Sequence, residues 1–285
     1  MDRLAQAVGL PVEYQTFDTV TDQLLAMRHG KLHVTAFNTG SVPRAVNQCG
    51  FVPVSAKANP EGDWKIAMKV IVPVKSTVNQ VSDLRGQYIT FTNPASFSGF
   101  RLAIVTLQKE FGMLPGNDYD YRFSTSHNHS IRSVADGELE AACVASDMLS
   151  DASAGGTLDE ASIREIYTST AFPAAAFGYV YNLDSDLAAK IGEFLRTASL
   201  DATPLDPSGD GSAANTLVAT QYKEDWKSVR EVDDATGWRH ELPKRGIEKG
   251  VGSASSTEVS VPESGDSSPV TNTVPEEGES VETAG

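Results

Sequence analysis

The residues best placed to do chemistry lie in Thr92-Asn93-Pro94-Ala95-Ser96-Phe97-Ser98-Gly99-Phe100. Two hydroxyls stand two positions apart between a proline and a glycine, after an apolar run and before an amphipathic one. A chain that leaves a strand and opens a helix here presents unpaired backbone N–H groups and the positive end of the helix dipole. With Ser96 and Ser98 beside them, and Phe97 and Gly99 supplying backbone, such a turn can hold a tetrahedral oxyanion without any lysine or arginine. The spacing equally suits a plain cap, in which Ser96 only accepts a bond from the first helical turn. The residues alone leave both readings open.

A second polar cluster, Ser124-Thr125-Ser126-His127-Asn128-His129-Ser130, also links a strand to a helix start. Its two histidines are two apart with no cysteine nearby, a poor spacing for metal ligation, so no metal site is expected. A histidine beside a helix start more often caps or hydrogen-bonds, and donating to an anion is one form of that; His127 is therefore nominated with the serines. His29 and His33 read as surface residues. No G-x-S-x-G elbow and no G-x-x-x-x-G-K-[ST] or G-x-G-x-x-G loop is present, so no catalytic residue and no cofactor are nominated. An enzyme would have to use His127 with Ser126 or Ser98.

The elements that position these clusters alternate between strand and helix. Strands are expected at Val12–Phe17, Leu32–Phe37 and Phe51–Lys57, with helices at Thr21–His29 and Pro43–Cys49 between them. The opening residues read as the end of a helix closed at Gly9, and a preceding strand and any leader are expected to be missing. A β-branched run covers Ile66–Val74, after which the alternation restarts. It continues through a short helix at Ser82–Gly86, a strand at Tyr88–Thr92 and a helix at Phe100–Phe111, whose Phe100, Ile104, Leu107 and Phe111 share one face. Tyr119–Ser124, Leu139–Ala145, Ile163–Thr168 and Phe177–Asn182 follow as strands. Ser130–Ala135, Leu187–Ala198 and Tyr222–Val229 are the remaining helices.

This restart predicts an α/β fold of two lobes, each a mostly parallel sheet flanked by helices, with two strand crossovers as a hinge. The first lobe takes residues 1–73 and 171–240, the second 74–170, and 241–285 form a disordered tail. Paired lobes of this kind clamp a ligand between them.

The chain has 285 residues, with 23 Lys and Arg against 38 Asp and Glu, for a formal net charge of −15. That balance argues against sequence-independent nucleic-acid binding and against docking on anionic lipid. No apolar stretch approaches the roughly 20 residues of a membrane-spanning helix, and no secretory signal is visible. Beyond Gly250 the acids Glu258, Glu263, Asp266, Glu276, Glu277, Glu279 and Glu282 occur with no basic and no aromatic residue. Such a composition does not fold by itself, and it reads as a solvated spacer or an acidic interaction tail. Cys49 and Cys143 read as buried small hydrophobes.

Several motifs in register resemble the phosphate, phosphite and phosphonate substrate-binding proteins of ABC transporters. They are Asp83-Leu84-Arg85-Gly86, Asn93–Phe100, Ser126-His127, and Val134-Ala135-Asp136-Gly137-Glu138-Leu139-Glu140-Ala141. Gln23–Val34 and Ile163–Ser169 followed by Pro173 are similar to two further family segments, so the resemblance runs from about residue 3 to about residue 230. It implies a periplasmic or other extracytoplasmic two-lobed monomer that captures a small oxyanion and delivers it to a membrane permease. Carried onto this chain, Ser96, Ser98 and the Phe97 N–H hold the phosphoryl oxygens and His127 donates from the same lobe. The family's first-lobe tyrosines fall on Val20 and near Lys65-Ile66-Ala67-Met68 here. Asn38 and Thr39 are the natural first-lobe replacements, though a plain polar turn accounts for them as well. The alternative function is a sensory or scaffold domain on the same fold with a degenerate or different pocket.

Overall fold

The protein is described here by a computed structural model, which covers residues 2–58, 62–198 and 216–238. The tail expected over 241–285 lies outside the described residues.

Two sheets form the two lobes. The first runs in the order β1 (Val34–Phe37), β10 (Ala176–Val180), β2 (Phe51–Ala58), β11 (Thr216–Ala219). Successive side chains of a strand face opposite sides, and β2 shows how both sides are used. Phe51 packs with Leu24 and Met27 of α2 (Val20–Arg28) and Val42 and Ala45 of α3 (Val42–Cys49). Val52 and Val54 face the other way, toward Val8 of α1 (Asp2–Val8) and Ile191 and Leu195 of α7 (Ser185–Thr197). Burying a side chain of this size contributes about 1.5–3 kcal/mol, so each face is held by several such residues.

The second sheet runs β6 (Asp120–Phe123), β5 (Tyr88–Phe91), β7 (Ala142–Ala145), β4 (Met68–Pro73), β8 (Ile163–Thr168). Met68, Val70 and Val72 of β4 pack with Ala103 and Leu107 of α4 (Leu102–Phe111). Ile71 faces Ile131 and Val134 of α5 (His127–Ala135) and Leu149 of α6 (Ser146–Ala154). Both faces are covered, which is why Met68–Pro73 reads as an unbroken apolar run with only Lys69 interrupting it. The sequence reading did not separate α6 or β11 from their surroundings.

Neither sheet is mostly parallel, contrary to the expectation. Every neighbouring pair of the first sheet is antiparallel. β1 and β2 do point the same way, but β10 comes back from the second lobe, enters from the opposite end and separates them. In the second sheet β5 is parallel to β6 and β7, while β4 lies antiparallel between β7 and β8. The two connections between the sheets pair with each other as β3 (Lys65–Ile66) and β9 (Phe172–Pro173).

Val12–Phe17 is not a strand. β1 is the edge of its sheet, and the alternating residues Val12, Tyr14 and Phe17 have no neighbouring strand among the described residues to complete a ladder. The C-terminal helices also depart from the expected grouping. α8 (Tyr222–Asp225) and α9 (Lys227–Thr236) follow β11 of the first sheet, yet α9 packs against α4. The fully buried Trp226 seats the junction between them, and Arg101 is ion-paired with Asp233 of α9.

Candidate functional site

The carboxyl end of β5 leads through Thr92–Ala95 into Ser96. Ser96 keeps extended backbone angles and its Oγ accepts the N–H of Gly99 at 3.0 Å, so the capping bond is made. The helix does not begin as an α-helix. Phe97–Arg101 form a π-turn that runs directly into α4, with the Arg101 N–H reaching the Ser96 carbonyl at 3.2 Å. A wider turn leaves its first amides without intrahelical acceptors, and π-turns of this kind are frequent at functional sites. Gly99 takes one of those amides to Ser96; the N–H groups of Phe97 and Ser98 have no acceptor among the described residues. A side chain at Gly99 is excluded by contact: a Cβ there would lie 2.1 Å from Thr92 Oγ1 and 2.8 Å from Ser96 Oγ.

The two hydroxyls are therefore not equivalent. Ser96 both caps and faces the cleft. Ser98 is buried except where it opens onto the cleft, and its hydroxyl makes no protein hydrogen bond among the described residues. The Phe97 ring meets Phe172 edge-on at 4.9 Å.

His127 comes from the next strand–helix junction. The helix starts at His127 rather than Ser130, because Ser126 caps it by accepting the His129 N–H at 3.2 Å. Thr125 before it has φ 78°, a left-handed conformation that is costly for a β-branched residue. Its N–H donates to the Thr92 carbonyl at 2.7 Å, which ties this junction to the serine turn. The Ala145 N–H donates to His127 Nδ1 at 3.2 Å. A backbone amide can only donate, so the neutral ring carries its proton on Nε2. Burial pushes the imidazole down to about 4, which keeps it neutral at ordinary pH. Nε2 stands 3.4 Å from Ser96 Oγ. On the helix His127 and His129 are two apart and do not share a face. Among the described residues no group of His, Cys, Asp or Glu could hold a metal ion.

Across a cavity of about 700 Å³ lies the first lobe. Asn38, Thr39, Ser96, Phe97, Ser98 and His127 all line this cavity, and Gly99 lies beneath the serines. Asn38 and Thr39 are partly committed to the protein. Asn38 Oδ1 accepts the Ser41 N–H at 3.0 Å, and Thr39 Oγ1 donates to the Pro173 carbonyl at 2.8 Å. Val20 and Ile66 make that wall partly apolar. Five charged residues outside the nominated set also line the cavity: Arg44, Asp147, Arg230, Asp233 and Asp234. Arg44 projects from α3, a helix whose amphipathic pattern gave no hint of a ligand-facing side. Asp147 opens α6, and the surrounding protein raises its carboxyl above the usual range, chiefly by desolvation.

The family description for the periplasmic substrate-binding protein of phosphonate ABC transporters matches residues 1–235. The chain belongs to that family. Among solved structures, the methylphosphonate complex of PhnD1 from Prochlorococcus marinus aligns at a TM-score of 0.67 and 13% identity, covering 83% of this chain and 90% of that one. XAC2383 from Xanthomonas citri, bound to ATP, gives 0.66 and 14% over 81% and 90%. A binding-protein component of an ABC phosphonate transporter from Pseudomonas aeruginosa gives 0.64 and 12% over 81% and 78%. These likenesses show the two-lobed fold. As a member of a periplasmic substrate-binding family, the protein has a solute-binding role and is not an enzyme. Among the described residues no helix is long and apolar enough to cross a membrane.

Proposed function

We propose that the protein captures a small phosphonate, phosphite or phosphate anion between its lobes and hands it to an ABC permease in an extracytoplasmic compartment. One observation carries the reading. The Ser98 hydroxyl, the Phe97 and Ser98 amides and the His127 Nε2–H are donors with no strong acceptor among the described residues, and they gather at one end of the cleft. A tetrahedral anion supplies several acceptor oxygens to such a group. Each hydrogen bond to a charged oxygen contributes about 1.5–3 kcal/mol, and the dipole of α4 adds a favourable field.

None of these donors carries a formal charge. Recognition then depends on geometry rather than long-range attraction, which suits a chain whose net charge of −15 repels anions at a distance. In this reading Ser96 holds the turn and adds its hydroxyl, while Asn38 and Thr39 shape the opposing wall through their turn. The first sheet and its helices move against the second sheet, which includes β4 (Met68–Pro73), and β3 and β9 act as the hinge between them. The same charge disfavours nucleic acid as a partner, and a monomer suffices for the site. The methylphosphonate bound in the Prochlorococcus marinus structure supports this ligand class.

Thermal unfolding with methylphosphonate, 2-aminoethylphosphonate, phosphite and phosphate tests the proposal. A ligand at a hundredfold excess over Kd stabilises the native state by about 2.7 kcal/mol, so at least one anion is expected to raise Tm by several degrees. No shift with any of the four favours a sensory or scaffold role.

A further inference from the structure

We propose that Arg44 reads a second acidic group on the ligand. The cleft then takes a small phosphonate or phosphate monoester whose far end carries a carboxylate or another phosphate. This inference rests on the oxyanion reading above and concerns the opposite wall of the same cavity.

Arg44 lies on α3 and faces the cavity. In a chain with 38 acidic residues against 23 basic ones, a cation turned toward the interior ought to find a carboxylate. Among the described residues none lies within 4 Å of its guanidinium, and its Nε is buried without an acceptor. Burial acts most on its guanidinium, followed by the Cys49 thiol and then by Arg28, a like charge. The other arginine on the cavity wall is differently placed. Arg230 donates to the carbonyls of Tyr222 and Lys223 and lies over the Tyr222 ring. Arg44 thus brings an uncompensated positive charge to the wall facing the neutral-donor cradle.

Asp147 stands on the cradle's own lobe and repels a second negative group from that side. Arg44 is left as the cation able to receive it. Planar guanidinium suits carboxylate and phosphate because it offers paired donors in one plane. A cavity of about 700 Å³ lies within the range that accommodates molecules much larger than a one-carbon phosphonate. A bound acidic group would also offset the repulsion between Arg44 and Arg28.

The test is calorimetric titration of the full chain and of Arg44→Gln with three probes: methylphosphonate, phosphonoacetate and 3-phosphonopropionate. The two carboxylates sit at different reaches from phosphorus. Wild type is expected to bind at least one dicharged probe tenfold or more tightly than methylphosphonate. Arg44→Gln is expected to remove that preference while changing methylphosphonate affinity less than twofold. Tm measured on the same sample reads whether the variant is folded. Methylphosphonate binding with no preference for either longer probe in the wild type overturns the role of Arg44 alone, whatever the variant does. An equal loss for all three probes in a folded Arg44→Gln also overturns it. Binding of none of the probes by wild type overturns both this inference and the oxyanion reading beneath it.

Discussion

At the scale of single residues the site is a set of donors whose hydrogen positions are decided by their neighbours. Ala145 forces the His127 proton onto Nε2, and Gly99 takes one lone pair of Ser96. Of the two serines in the turn, Ser98 is the one whose hydroxyl makes no protein hydrogen bond among the described residues. Ser98→Ala should therefore weaken oxyanion binding by about 1.5–3 kcal/mol, roughly tenfold to a hundredfold in Kd, with little change in unfolding temperature. Titration calorimetry on the two proteins reads the difference. His127 also leaves a mark on stability. Its folded-state value near 4 lies below the ordinary 6.5, so the unfolded chain takes up a proton that the folded one refuses. Its contribution is constant above about pH 7, declines as pH falls from 6.5 toward 4, and is level again below that. The loss amounts to about 2–3 kcal/mol after allowance for partial exposure. In urea unfolding from pH 7.5 to 4, His127→Gln should show a shallower decline than wild type; parallel curves would mean that the ring is not held neutral.

At the scale of elements, the serine turn is braced from behind. Arg101, 1% exposed, pairs with Asp233 and lies over the rings of Trp238 and Phe97. Removing one partner leaves a buried charge unpaired, which typically costs 3–5 kcal/mol. Asp233→Ala is expected to lose about that much in urea denaturation. Arg101→Met with Asp233→Leu should recover a large part of it, since the remaining pair is apolar. An additive double variant would mean that the pair does not act as a unit. This brace was not legible in the sequence. Arg101 and Asp233 are distant along the chain, and nothing local indicates that α9 crosses to the second sheet. The strand–helix alternation was legible because apolar periodicity, glycine stops and caps are local signals: Gly112 closes α4 and Gly50 closes α3, both in left-handed conformation. Val12–Phe17 shows the limit of that signal, since alternation marks a strand only where another strand is available to pair with it. Sheet direction was misread for a related reason, as β10 inserts between two strands that are consecutive along the chain.

At the scale of the whole molecule, two lobes joined by two paired strands enclose a cavity whose walls come from segments far apart in the chain. Asn38 and Ser98 are both local turn residues, and their convergence needs the fold. The oxyanion end could be read from sequence, because hydroxyls, a proline and a glycine at a helix start carry their chemistry in their spacing. The first-lobe end could not, since Arg44 gains meaning only from what it faces, and the same holds for Asp147 on the cradle's own lobe. The overall negative charge then makes the short-range cradle, rather than the molecular field, responsible for affinity. The most direct measurement is a crystal structure of the protein with methylphosphonate. The account predicts phosphonate oxygens about 2.7–3.1 Å from Ser98 Oγ, the Phe97 or Ser98 amide nitrogen and His127 Nε2. A phosphonate seated elsewhere, with these three donors turned to solvent or to protein, would contradict it.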